Sequence, residues 1–167
     1  MLQMVHKYFV DFLSKGNESL ADELFSDDAE HIDQVWDPAH PTVGPAGMRH
    51  YLHDVKTAFP DFLVEIQDIA TSKTAHFKNQ KSHSTAALPK FSSSSSLYNL
   101  IYWLMLSPIL LMFPGDTNSL WVLFEGTATG LGEWHGHRPT HHTSSFSGVN
   151  IVKFNADRSK ITQVLGT

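Results

Sequence analysis

The spacing of the apolar residues changes along this chain from a helical to an alternating pattern, and this order restricts the folds open to it. Large side chains from Val5 to Leu13 fall at i, i+3, i+4, i+7 and i+8, which places them on one helical face. A second helical stripe runs from Met48 to Phe59. Alternating segments then predict strands at residues 62–70, 120–129, 143–154 and 161–165. The sequence predicts an α+β fold in which antiparallel strands pack on N-terminal helices.

Shorter signals place the elements between the two helical stripes. Gly16 is expected to end the first helix, because glycine adopts the left-handed conformation common after a helix terminus. Ser19 followed by Asp22 resembles a capping box that opens a short second helix. Residues 29–35 are predicted as a strand, and the proline- and glycine-rich residues 38–47 as a loop.

The middle of the chain breaks this pattern. Residues 73–96 are rich in lysine, serine and histidine, and this composition predicts disorder. Residues 97–113 are almost wholly apolar but contain Pro108 and are shorter than the ~20 residues that a membrane-spanning helix needs. We therefore expect no membrane span here.

Composition excludes several classes of function. The chain has 167 residues, of which 41% are hydrophobic, and this is enough for one domain with a real core. The absence of cysteine excludes disulfides, thiolate zinc sites and cysteine nucleophiles. A formal charge of −5 offers no basic surface for nucleic acid. The first residues show no signal peptide, so we expect a soluble, cytoplasmic protein.

Asn150 is the most informative polar residue. It lies in an apolar strand in phase with Phe146, Val152 and Phe154, so its amide is expected among buried side chains. An unpaired buried amide costs about 1–3 kcal/mol and therefore needs a protein partner or a ligand. The pattern predicts that Asn150 forms the polar floor of a pocket.

Histidines offer a different site. His135 and His137 form an HxH pair that could hold a metal on one face of a strand. No carboxylate follows the pair before Asp157, so a third ligand is missing. We therefore predict neither a metal nor another cofactor.

Six segments of the chain resemble one family. They are VHKYFVDFLSKGN, LFSDDAEHID, GPAGMRHYLHDVKTAFPDF, FEGTATG, GHRPT and SFSGVNIVKF. In this order and spacing they resemble the SnoaL-like polyketide cyclase branch of the nuclear transport factor two-like superfamily. The resemblance implies a cone-shaped curved antiparallel sheet wrapped around helices, and a homodimer formed through the outer sheet face.

The resemblance also sets the irregular segment apart. Relatives run directly from the strand after FPDF into the next strand, and removal of residues 73–115 restores that connection. We interpret this segment as an insertion in a single domain, encoded by a translated intron or specific to one isoform. The family's last strand normally continues further, so we also expect a truncated final strand.

The resemblance implies roles for three residues. Ketosteroid isomerase, a relative with the same cone, uses a carboxylate base, a tyrosine and a protonated aspartic acid. By position Asp33 matches the base, Tyr8 the tyrosine, and Asn150 the aspartic acid. Tyr8 could instead be an ordinary core residue, and Asp33 one of several acids at a strand end.

The function expected from these residues is cofactor-independent acid/base chemistry on a carbonyl compound, by a cyclase or isomerase. Trp121, Phe146 and Trp134 are predicted to line the pocket and contact a small hydrophobic molecule. The alternative is a non-catalytic module of the same fold that binds a small molecule or dimerises, because a fold does not fix a chemistry.

Overall fold

A computed structural model describes residues 1–35, 37–71 and 117–166. The predicted insertion at 73–115 lies outside the described residues. Within the described part of the chain, no helix is long and apolar enough to cross a membrane.

Helices form one layer of the molecule. The first helix, α1, has an α-helical part, Leu2–His6, and a wider π-helical part, Lys7–Ser14. Gly16 follows with φ of +72°, and the amides of Gly16 and Asn17 donate to the carbonyls of Phe12 and Asp11. These two bonds confirm that the helix ends at Gly16. A 3-10 turn, Glu18–Leu20, leads into α2, Ala21–Leu24, and the long helix α3 spans Gly44–Ala58.

The predicted capping box does not form. The Ser19 hydroxyl lies inside the 3-10 turn and donates to Asn17 Oδ1 at 2.7 Å instead of capping α2. The turn places Ser19 one step into the helical segment, where its side chain cannot reach the amides that a cap satisfies.

In the described part of the chain, six strands form an open sheet in the order β2-β1-β6-β5-β4-β3. The strands are β1 Phe25–Asp33, β2 Asp37–Val43, β3 Leu63–Thr71, β4 Ser119–Thr129, β5 Thr143–Phe154 and β6 Ile161–Gly166. The predicted α+β fold and the four later strands are confirmed.

Two details of the predicted sheet are wrong. β1 and β6 pair in parallel, so the sheet is mixed and not wholly antiparallel. Most of the chain connects these two strands, so no tight turn forces them to run in opposite directions. Residues 37–43 form a strand where a loop was predicted. This strand tolerates Pro41 because it lies at the sheet edge, where one side needs no amide donor.

The core lies between α1, α3 and the inner face of the sheet. Aromatic rings dominate it, with Tyr8, Phe12 and Phe25 in mutual contact and Phe9 packed on Phe124 at 5.6 Å between ring centroids. The other fully or nearly fully buried members include Val5, Leu24, Met48, Leu52, Val122, Val152, Ile161 and Val164. The inner face of the sheet is therefore the one that α1 and α3 cover.

Close packing at Gly126 supports a first prediction. A Cβ atom at this position would lie 2.5 Å from Phe146 Cζ and 2.6 Å from the Leu63 carbonyl oxygen. The backbone oxygen cannot move without disturbing the β3–β4 pairing. We expect Gly126→Ala to lower the free energy of unfolding by about 1–3 kcal/mol, measured by urea denaturation. Thr127→Ala, at an exposed position of the same strand, is the matched control, and equal stability of the two variants would contradict this packing.

Candidate functional site

Alternate residues of β1 direct their side chains toward the helices. Ala29 and His31 are buried, and Asp33 follows in the same phase with partial exposure. Burial lowers the pKa of His31 to about 4, although the nearby Asp33 carboxylate acts in the opposite direction. His31 is therefore neutral near pH 7. Our sequence analysis missed His31, although its alternation with Ala29 and Asp33 was a usable signal.

Two tyrosines approach Asp33 from the helices. Tyr8 comes from α1 and is 1% exposed, and Tyr51 comes from α3. Burial raises the pKa of Tyr8 well above its ordinary value, with smaller contributions from Tyr51 and Asp33. Burial, and then Asp33, also raises the pKa of Tyr51. Both hydroxyls therefore keep their protons and are neutral donors.

Asn150 reaches the same inner face from β5. Its side chain is 6% exposed, and it lies in phase with the buried Val152 and Phe154, as its sequence pattern predicts. In the sheet register Gly166 of β6 pairs with Asn150 on one side and with Asp33 on the other. Two strand spacings, about 10 Å, therefore separate the backbones of Asp33 and Asn150. We call Tyr8, His31, Asp33, Tyr51 and Asn150 the inner polar cluster.

Four of the five side chains in the inner polar cluster have no hydrogen-bond partner among the described residues, whereas Asp33 accepts a hydrogen bond from the Val35 amide. Within residues 1–35, 37–71 and 117–166, no protein group hydrogen bonds to the side chain of Tyr8, His31, Tyr51 or Asn150. In the same residues, no side-chain nitrogen or oxygen that is fully enclosed lacks a partner. These polar tips therefore keep a small accessible surface, which a bound molecule can cover.

Charge in the cluster comes from Asp33. Among the described residues, no lysine or arginine contributes to the pKa shifts of Tyr8, His31 or Tyr51. Arg49, the arginine of α3, pairs instead with Asp22 of α2 at 2.8 Å. Because the cluster combines neutral hydrogen-bond donors with one negative carboxylate, it suits an uncharged ligand better than an anion.

Trp134 lies in the connection between β4 and β5, beside the cluster. The amides of Leu131 and Gly132 both donate to the Ala58 carbonyl at 2.9 Å, which fixes this connection to the end of α3. The Trp134 ring packs 5.5 Å from Phe59 and 6.2 Å from Tyr51. A groove of about 430 Å³ opens between α3, β2 and this connection. Its lining comprises Thr42, Val43, Gly47, His50, Tyr51, Asp54, Thr57, Glu133, Trp134 and His135.

Tyr51 joins the groove to the inner polar cluster. One side of the residue lines the groove, and its ring lies 4.5 Å from the ring of His31. Tyr51 is the member of the inner polar cluster that belongs to the groove lining.

The other two residues predicted to contact a ligand lie elsewhere. Phe146 stacks on Phe62 at 5.5 Å, on the same face as Asn150 but about 13 Å further along β5. Trp121 lies on the opposite face of the sheet, where it packs with Ala70 and Ile151. The structure thus groups Asp33, Tyr8 and Asn150 on one face, with Trp134 nearby, and separates Trp121 from them.

The HxH histidines lie in the same connection as Trp134. The backbone of His137 forms a bridge with Trp134, and His135 has φ of +46°. Among the described residues, no group of three or more histidine, aspartate or glutamate side chains is arranged to hold a metal.

Comparison with known proteins gives one family. Residues 5–77 match the model of the SnoaL-like domain. No curated protein sequence matches the chain.

Solved structures share the fold at low sequence identity. A proposed SnoaL-like polyketide cyclase from Jannaschia sp. CCS1 superposes with a TM-score of 0.64 at 9% identity, over 99% of this chain and 83% of that one. AclR, a proposed hydroxylase from Streptomyces galilaeus, superposes with a TM-score of 0.53 at 17% identity, over 99% of this chain and 73% of that one. A nuclear transport factor two-like protein of unknown function from Exiguobacterium sp. 255-15 superposes with a TM-score of 0.56 at 13% identity, over 98% of this chain and 96% of that one.

These three structures carry different descriptions, so their likeness to this chain concerns the fold and not a reaction. Residues 5–77 are therefore similar to the SnoaL-like domain, and the chain shares the nuclear transport factor two-like fold of these solved structures.

Proposed function

We propose that this protein is a cofactor-independent enzyme that transfers a proton at the carbon next to a carbonyl group. The observation that carries the proposal is the composition of the inner polar cluster, in which one carboxylate faces neutral hydrogen-bond donors. Asp33 supplies the base, because its charge acts on Tyr8, Tyr51 and His31 and so lies close to all three. The apolar surroundings favour a small hydrophobic ligand.

The proton and the electron pair follow a defined path in this proposal. The Asp33 carboxylate takes the proton from the α-carbon, and the electrons of the broken C–H bond move to the carbonyl oxygen. Hydrogen bonds from Tyr8 and Asn150 stabilise the resulting enolate. Asp33 then returns the proton to the same or another carbon, which regenerates the carboxylate.

The neutral state of the donors matters for this step. A tyrosine with a raised pKa keeps its proton while negative charge develops on the substrate oxygen. Asn150 cannot exchange a proton, so its part is confined to hydrogen bonding. It stands where the resemblance to ketosteroid isomerase implies an acidic donor.

A simple carbon acid tests the proposal. The purified chain is incubated with 2-tetralone in D2O, and replacement of the α-protons by deuterium is followed by proton NMR. We expect faster exchange with the protein than in buffer at the same pH. Exchange at the buffer rate, together with binding of the ketone, would instead support the non-catalytic binding module.

Tyr8→Phe separates the hydroxyl from the aromatic ring. The ring contacts with Phe9, Phe12 and Phe25 remain, so the core should stay packed. Loss of one donor to a developing oxyanion typically slows a reaction by about 10²–10³-fold, and we expect a decrease of that order in 2-tetralone exchange. Unfolding in urea serves as the control for core packing. An unchanged exchange rate would remove Tyr8 from the mechanism and leave it as a core residue.

The predicted homodimer and the assignment of residues 73–115 as an insertion stay predictions.

A further inference from the structure

Gly166 leaves a gap in the wall formed by the inner polar cluster. A Cβ atom at this position would lie 3.4 Å from Asn150 Oδ1, 3.7 Å from the Ile32 carbonyl oxygen and 4.0 Å from His31 Nε2. All three neighbours are polar atoms. The missing side chain therefore opens a space that is bordered by hydrogen-bonding groups, which we call the Gly166 notch.

Neither packing nor backbone conformation explains a glycine here. At Gly126 an added Cβ would fall within 2.6 Å of a backbone oxygen, but at Gly166 the nearest atom is at ordinary van der Waals distance. The left-handed glycines of the described chain are Gly16, Gly44 and Gly136, and Gly166 is not among them. The described residues therefore leave room for a methyl group at this position.

The two side chains at the notch are buried and unpartnered. Asn150 and His31 are each 6% exposed, and neither side chain hydrogen bonds to another group of the described chain. An amide has both a donor and an acceptor end, and a neutral imidazole has one of each. At the notch itself the nearest atoms of Asn150 and Ile32 are acceptor oxygens, and a neutral imidazole nitrogen can accept or donate, so the notch suits a ligand hydroxyl that donates a hydrogen bond, without any positive charge.

We propose that the Gly166 notch holds the oxygen-bearing edge of a planar, uncharged ligand, and that Gly166 determines which ligands fit. This inference rests on the proposed function in one respect, because it takes the inner polar cluster as the place where a carbonyl compound binds. It adds the subsite for the ligand oxygen and makes His31 a second hydrogen-bond partner beside Asn150. Anionic head groups are disfavoured, because the Asp33 carboxylate lies on the other side of the notch.

Binding of 2-naphthol to the full chain tests the notch. This probe is planar and uncharged near pH 7, and it resembles the enol form of 2-tetralone. Fluorescence titration gives its dissociation constant for the wild-type chain, for Gly166→Ala and for Gly166→Val. Gln163→Ala is the matched control, because Gln163 lies on the same strand with its side chain bonded to Glu30 outside the cluster.

We expect Gly166→Ala to weaken 2-naphthol binding about tenfold or more, because its methyl group fills the notch. Gly166→Val should abolish measurable binding, and Gln163→Ala should leave the dissociation constant unchanged. The anion 2-naphthoate should bind the wild-type chain much more weakly than 2-naphthol. Far-UV circular dichroism of each variant shows whether it folds, and Gly166→Ala should fold normally because its Cβ fits at contact distances.

Two results would overturn the inference. One is an equal affinity of the wild-type chain and folded Gly166→Ala for 2-naphthol, and the other is no binding of 2-naphthol by the wild-type chain. The 2-tetralone exchange assay distinguishes failure of the notch from failure of the proposed function. If Asp33→Asn slows 2-tetralone exchange but Gly166→Ala does not, the proposed function stands and the Gly166 notch is not the oxygen subsite. If Gly166→Ala weakens 2-naphthol binding but the wild-type chain does not accelerate 2-tetralone exchange, the notch binds a ligand and the proposed catalysis is wrong.

Discussion

Asp33→Asn should abolish most of the exchange of 2-tetralone protons while leaving the fold and ligand binding intact. The amide has nearly the same size as the carboxylate and can still accept a hydrogen bond from the Val35 amide, which lies 2.9 Å from Asp33 Oδ1. It cannot take a proton from carbon. Loss of a general base typically costs about 10²–10⁴-fold in rate, and we expect a decrease within that range.

Asp28→Asn is the matched control for this prediction. Asp28 is an exposed acid on the same strand and lies outside the inner polar cluster, so its substitution should leave the exchange rate unchanged. Binding of 2-naphthol to Asp33→Asn shows whether the ligand site survives. If exchange persists at the wild-type rate in a folded Asp33→Asn variant, Asp33 is not the base.

Local patterns were sufficient to predict the later strands of the sheet. The predicted strand from Thr143 to Phe154 has the bounds found in the structure, because the segment is rich in β-branched and aromatic residues and a polar turn follows it. The two-residue period of a strand placed Asn150 on the same face as Phe146, Val152 and Phe154. β2 was missed because an edge strand tolerates proline, and the local composition of that strand is typical of a loop.

The candidate site was only partly predictable, because it depends on contacts between distant elements. Asp33 and Tyr8 came from a family resemblance and Asn150 from its strand pattern, and both kinds of argument assign positions one at a time. His31 and Tyr51 become informative only when α3 lies across β1 and brings their rings to 4.5 Å. The position of Gly166 depends on the parallel pairing of β1 with β6, and that pairing has no local sequence signal. The alternation of Trp121 with Val122 separates the two faces of the strand but does not tell which of them the helices cover, and Trp121 lies on the face away from the helices.

His31 should make the stability of the protein depend on pH in a defined interval. In the folded chain its pKa is lowered to about 4, whereas an unfolded histidine titrates near 6.5. Above pH 6.5 the residue is neutral in both states and contributes nothing. As the pH falls from 6.5 to 4, the unfolded chain binds a proton that the folded chain does not, so the free energy of unfolding decreases. Below pH 4 both states are protonated and the decrease stops.

The expected loss across this interval is about 3 kcal/mol, a large part of the stability of a small domain. It can be measured by urea denaturation at several pH values. His31→Gln should flatten the profile between pH 6.5 and 4, whereas His53→Gln, at an exposed position of α3, should leave it unchanged. The carboxyl groups with lowered pKa, on Asp11, Asp61 and Asp157, titrate below this interval and cannot account for the loss. A profile that keeps its slope in His31→Gln would show that the imidazole is not held neutral by burial, and the same result would argue against His31 as a neutral partner at the Gly166 notch.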